Sequence, residues 1–188
     1  GQLARIFVTS GMSEIKKDIR SLSQEDISNF LEEQGEPKFR AKQIYQWLWQ
    51  KSVTDFDDMT NLSKDLRTLF KAHFMIKAVE IKVIQQSSDG TVKVGFQLTD
   101  GNIIEGVIIP TDDRNTACIS SQVGCSLDCK FCATGYLKRM RNISDFEIYD
   151  QVAALNKISL EKFGKPLTNI VYMGMGEPLL NYKNVLQS

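Results

Sequence analysis

Cys125-Ser126-Leu127-Asp128-Cys129-Lys130-Phe131-Cys132 is the stretch on which the reading of this sequence turns. Its spacing is CxxxCxxC, and the fourth cysteine of the chain, Cys118, lies just upstream. All four are too close together to staple distant parts of a fold. The N-terminus shows no charged segment leading into an apolar run and cleavage site, so a secreted, disulfide-bonded protein is not expected. Three thiolates on one short loop can hold three corners of a [4Fe–4S] cubane. Electron-transfer clusters use four cysteines, so the fourth iron here would stay open, as the vacant position of a catalytic metal does. The rival is a structural four-cysteine zinc site that recruits Cys118, although such sites usually come as two separated short-spaced pairs. The lone histidine, His73, sits far away in a helical stretch and reads as a surface or helix-end residue.

Working outward, Thr116–Ser121 reads as a short strand that delivers the chain into the cysteine loop, which runs to about Arg141. Ser144-Asp145-Phe146-Glu147 has the form of a capping box, and Ile148, Val152, Leu155 and Ile158 follow as an apolar helical stripe. Gly164-Lys165-Pro166 ends that helix. Asn169–Met173 (NIVYM) then reads as a buried strand, closed by Gly174-Met175-Gly176-Glu177-Pro178. Strand, loop, helix, strand, loop is the pattern of a parallel α/β unit.

Upstream, Val79–Gln86, Thr91–Thr99 and Asn102–Ile109 are strand-like runs separated by Asp89-Gly90 and Asp100-Gly101, strong hairpin signals. They predict a small antiparallel meander ending at Pro110. Residues 13–75 read as helical. Ser23-Gln24-Glu25-Asp26 resembles a capping box, Pro37 can open the next helix, and a third is expected from Ser63. The aromatics of this region read as core packing, with Lys38, Arg40, Lys42 and Lys51 leaving a basic face open to RNA. Residues 1–11 precede the first methionine, Met12, and are set aside. The 188 residues hold 42% apolar and 24% charged side chains, as soluble globular proteins do. A net charge of zero gives no hint of nucleic acid from composition alone.

Four segments together carry a family resemblance: Ile104-Glu105-Gly106-Val107-Ile108-Ile109-Pro110; Cys118-Ile119-Ser120-Ser121-Gln122-Val123-Gly124-Cys125; Cys132-Ala133-Thr134-Gly135 followed by Arg141-Asn142; and Met173-Gly174-Met175-Gly176-Glu177-Pro178-Leu179. In this order they resemble the RlmN/Cfr family of radical S-adenosylmethionine (SAM) methyltransferases, which act on C2 or C8 of adenine in ribosomal RNA. The resemblance runs from about residue 20 to the end. It implies an α/β chain: a helical accessory RNA-binding domain over 1–75, the meander over 76–110, and over 111–188 the start of a radical SAM partial (β/α) barrel, truncated after about two β/α units.

The same resemblance implies a [4Fe–4S] cluster on Cys125, Cys129 and Cys132, and SAM bound by Gly176 and Glu177, the glycine letting backbone approach the ligand closely. Glu105 would be the proton acceptor, its apolar neighbours Ile103, Ile104 and Val107 favouring a raised pKa. Cys118 would be the resolving thiol, closing a disulfide that releases the protein from a covalent RNA adduct. Lys130, Lys138, Arg139 and Arg141 would contact phosphate, and Phe131 and Tyr136 would stack or pack the loop. The partners implied are ribosomal RNA, with transfer RNA as a second candidate, and an electron donor such as flavodoxin. The protein would be a cytosolic monomer, and C2 of adenine, the housekeeping position, is the expected target. The family's methyl-carrying cysteine belongs far downstream and no cysteine follows Cys132, so the 188-residue chain alone is not expected to complete turnover. Two alternatives stay open: another radical SAM RNA-modifying or activase-type enzyme, and a zinc-binding RNA-interaction module.

Overall fold

The computed structural model describes residues 16–127 and 129–188. Residues 13–15 of the expected helical stretch, and Asp128 of the cysteine loop, lie outside them. After a short strand β1 (Lys17–Asp18), the helices α1 (Gln24–Glu33), α2 (Arg40–Trp49) and α3 (Lys64–His73) follow, and β2 (Phe74–Met75) pairs parallel to β1. Ser23 caps α1 in a capping box with Asp26, and Ser63 caps α3 through Leu66 N–H. Pro37 lies just ahead of α2, its carbonyl accepting from Arg40 N–H at 3.0 Å, so the helix proper begins three residues later than Pro37 suggests. Ile27, Leu31, Ile44, Leu48, Leu66 and Phe70 are buried at the centre of this unit. Phe30 packs edge to face with both Phe70 and Phe74, and exposed His73 lies against Phe30 at the helix end.

Next come β3 (Glu80–Gln86), β4 (Val92–Gln97), β5 (Ile103–Pro110) and β6 (Asn115–Cys118), joined antiparallel in sequence. Gly90 and Gly101 turn the first two hairpins at φ +88° and +83°, a left-handed region that a Cβ disfavours. Strand β7 (Gln122–Val123) pairs with β8 (Arg141–Asn142) to close the cysteine loop. Helix α4 (Asp145–Phe163) ends at Gly164, and β9 (Asn169–Val171) adds parallel to β6. Helix α5 (Tyr182–Gln187) lies at the end of the chain. Among the described residues the main sheet runs β3-β4-β5-β6-β9, so the meander and the β/α unit share one sheet.

Period-two alternation sorts this sheet into two faces. Val92, Val94, Phe96, Ile104, Ile108 and Ala117 point to α4, where Leu155 and Ile158 meet them. Each Val, Ile, Leu or Phe among them stabilises the fold by about 1.5–3 kcal/mol when fully buried. The opposite face, with Lys93, Glu105 and Cys118, is not covered by a helix among the described residues. Strand β9, expected to be buried, is instead the sheet's edge: Ile170 is 45% exposed, because β6 is its one hydrogen-bonded neighbour among the described residues. The helical unit is fastened to α4 by buried Arg20, which ion-pairs Asp18 at 3.1 Å and Asp150 at 2.6 Å. No helix among the described residues is long and apolar enough to cross a membrane.

Candidate active site

The parallel strands β6 and β9 deliver two loops to the same edge, as α/β sheets do at the carboxyl ends of their strands. From β6 comes the cysteine loop; from β9 comes Gly174-Met175-Gly176-Glu177-Pro178. Their roots are laced together. Gly174 N–H donates to Ile119 O (3.0 Å), and the N–H groups of Ser121 and Gln122 both donate to Met175 O (2.9 and 3.1 Å). Met175 N–H donates to Ser120 Oγ (2.9 Å), and Glu177 N–H to Gln122 Oε1 (3.0 Å).

Both glycines of this loop sit where the chain's own residues 119–122 crowd against them. A Cβ on Gly174 would lie 2.6 Å from Ile119 O, and one on Gly176, at φ +92°, would lie 2.4 Å from Gln122 Cβ. The space the missing side chains leave is filled by the chain's own residues 119–122. Glu177 in turn accepts from Leu179 N–H (3.0 Å), capping the short 3-10 turn Pro178–Asn181.

Three buried amides hold the same junction. Gln122 Nε2 donates to Asn142 Oδ1 (2.8 Å), Gln151 brackets the Ser120 peptide on both sides, and Asn181 Nδ2 donates to Ser121 O and Ile143 O, each at 2.7 Å. Sequence reasoning did not single them out. One signal was present: Gln151 sits in α4's apolar stripe, three residues after Ile148 and four before Leu155, where a polar side chain needs a buried partner.

Within the cysteine loop, Cys125 N–H donates to Leu137 O (3.3 Å) and Cys132 N–H to Cys129 O (3.0 Å). Cys125, Cys129 and Cys132 are half-buried free thiols. Backbone N–H groups of Thr134 and Gly135 hold the Cys132 thiol below its ordinary pKa, since they favour the thiolate. Phe131 and Tyr136 are 94% and 83% exposed, so they do not pack the loop. Arg141 is engaged by carboxylates of this chain. It forks onto Glu147 with two 2.8 Å bonds and reaches Asp100 at 2.5 Å. That pairing holds the Asp100 carboxyl down to about 2. Burial pushes Glu147 up, but Arg141 and Ser144 outweigh it and keep the carboxyl below its usual value. Arg139 donates to Asn142 Oδ1 at 3.0 Å, and Lys130 and Lys138 lie on the surface.

Glu105 and Cys118 lie on the open face of the sheet. Cys118 pairs directly with Val107, two residues along β5 from Glu105, which makes the two diagonal neighbours. Burial pushes the Cys118 thiol up, offset in part by Met173 N–H. The apolar surroundings expected of Glu105 are met only in part: Val107 shares its face of the sheet and is partly buried. Ile104 points to the other face, as adjacent strand residues must, and Ile103 is 47% exposed. Glu105 Oε1 instead meets Lys93 Nζ at 2.6 Å, both side chains being half-exposed. Among the described residues the Glu105 and Cys118 side chains make no hydrogen bond or ion pair with the cysteine loop or Glu177.

Residues 17–76 match the ribosomal RNA large subunit methyltransferase N-terminal domain. A probable dual-specificity RNA methyltransferase RlmN from Cytophaga hutchinsonii is 59% identical over 92% of this chain and 47% of its own. A protein of the same description from Christiangramia forsetii is 52% identical over 95% of this chain and 51% of its own. In sequence and fold, the chain is similar to about half of these RlmN methyltransferases, and over residues 17–76 to their N-terminal domain. The crystal structure of a radical SAM methyltransferase from Sphaerobacter thermophilus superposes with a TM-score of 0.79 at 37% identity, covering 91% of this chain and 50% of that one. The chain thus spans about half the length of the RlmN relatives it matches.

The RlmN family implies a [4Fe–4S] cluster and SAM. Among the described residues no three His, Cys, Asp or Glu side chains stand gathered around a metal position. The fit lies in donor chemistry: three free thiols of one backbone-closed loop, with no disulfide to compete for them. Soft thiolates suit iron–sulfur clusters.

Proposed function

We propose that the full-length protein is a cytosolic radical SAM methyltransferase that methylates C2 of an adenine in ribosomal RNA, and in transfer RNA. The observation that carries this reading is the junction at Gln122, where the root of a three-thiol loop and the GMGEP loop share hydrogen bonds. It supports a site at which two bound groups must stay in fixed relation, the requirement of oriented chemistry. In this reading Cys125, Cys129 and Cys132 hold the cluster, and Gly176 and Glu177 receive the amino-acid end of SAM. When bound, cluster and SAM together supply one-electron chemistry, which an electron-poor adenine carbon requires because it offers no nucleophile to a closed-shell methyl donor. Glu105, a carboxylate on the open face, accepts the ring proton. Cys118, beside it on β6, supplies the thiol that frees the product. An external electron donor such as flavodoxin completes the system.

The test is anaerobic methylation of a ribosomal RNA fragment by the full-length protein, with nucleosides identified by mass spectrometry. The expected product is 2-methyladenosine. Glu105→Gln lowers its rate about 10²–10⁴-fold, the contribution of a general base, with RNA affinity kept. An 8-methyl product, or none, contradicts the assignment.

A further inference from the structure

Lys93 and Glu105 form an ion pair on the open face of the sheet, Nζ to Oε1 at 2.6 Å. Register explains why they meet. The residue directly across from Glu105 on β4 is Gly95, which has no side chain to stand between them. Val83 Cγ1 occupies the space a Gly95 Cβ would need, so the floor beside Glu105 is apolar. Lys93, two residues along β4, faces Gln85 on β3 and Val107 on β5, neither of which carries charge. Of the other ionisable groups on this face, Cys118 lies on β6 diagonal to Glu105. Glu80 stands at the far end of β3, opposite Gln97 and ion-paired with Lys82.

The pair is at odds with the role given to Glu105 above, on which this inference rests. With Lys93 Nζ against it, Glu105 Oε1 is already occupied and is not free to meet a ring proton. An unmasked carboxylate, however, would repel an incoming polyanion. Both demands are met if the ammonium changes partner. A half-exposed pair is weak and is screened by salt. An ammonium on a flexible stem can swing to a phosphate oxygen, and a base whose ring carbon reaches Glu105 brings its own backbone with it.

We propose that Lys93 is a positioning residue that binds a backbone phosphate of the RNA and, in moving to it, uncovers Glu105 as the proton acceptor. Lys93 thus masks the acid during approach and reports the arrival of substrate to it.

The experiment uses the full-length holoenzyme, the ribosomal RNA fragment, and the variants Lys93→Met and Lys93→Arg. Equilibrium RNA binding is measured as a function of salt, and kcat and kcat/KM as functions of pH. One phosphate contact removed lowers the slope of log affinity against log salt by about 0.7–0.9. Lys93→Met is expected to show that loss and Lys93→Arg to retain the wild-type slope. The acid limb of kcat/KM reports the free enzyme and that of kcat the complex. In the wild type the kcat limb is expected at higher pH; in Lys93→Met the two limbs coincide. An unchanged salt slope overturns the phosphate contact, and coincident wild-type limbs overturn the exchange. A Glu105→Gln variant with undiminished methylation instead overturns the role of Glu105, leaving the salt arm to judge Lys93 alone.

Discussion

Serine at Cys125, Cys129 or Cys132, one at a time, abolishes iron uptake and methyl transfer in the full-length protein, whereas Cys118→Ser keeps its iron. The expectation follows from ligand chemistry. A hydroxyl is a hard, weakly acidic donor that cannot replace a soft thiolate on iron, and a cluster already open at one iron has no ligand to spare. Cys118 stands apart on β6, paired with Val107 and bonded through its thiol to Met173 N–H, so its loss falls on product release and not on metal content. Iron and acid-labile sulfide analysis after anaerobic reconstitution checks this. Equal metal loss in all four variants, with zinc as the metal bound by the unaltered protein, favours a four-cysteine structural site.

Alanine at Gly176 is expected to destabilise the protein by about 2–5 kcal/mol. The position combines left-handed backbone at φ +92°, which costs an L-residue about 1–2 kcal/mol, with a Cβ that would lie 2.4 Å from Gln122 Cβ and 2.7 Å from its backbone nitrogen. Overpacking of that kind typically costs about 1–3 kcal/mol more. Gly101→Ala is the control. It has φ +83° but nothing within 4 Å of its added carbon, so it bears the backbone cost alone. Urea unfolding of the two variants separates the contributions. Equal losses would show that the junction of residues 119–122 with 174–177 yields easily, contrary to its hydrogen-bond pattern.

Much of this architecture is written locally. The capping boxes at Ser23 and Ser144, the Asp-Gly hairpin turns and the Gly164 stop each depend on residues within a few positions of one another, and each appears where the sequence puts it. What was illegible depends on contacts between distant segments. Val171 and Cys118 become neighbours only through the parallel pairing of β9 with β6, so the crowding that demands Gly174 and Gly176 cannot be seen along the chain. Arg141 read as a phosphate ligand because its partners, Asp100 and Glu147, come from a hairpin turn 41 residues upstream and from the helix that follows. Glu105 read as enclosed because its sequence neighbours are apolar, yet period two sends Ile104 to the other side of the sheet. The ion pair with Lys93 is a matter of strand register, which sequence alone leaves open.

The most direct measurement is the EPR spectrum of the anaerobically reconstituted and reduced full-length protein, recorded with and without SAM. A thiolate-bound cluster with one open iron gives a [4Fe–4S]⁺ signal that shifts when SAM is added, the result predicted here. A colourless protein that takes up zinc, or a cluster signal indifferent to SAM, contradicts the account.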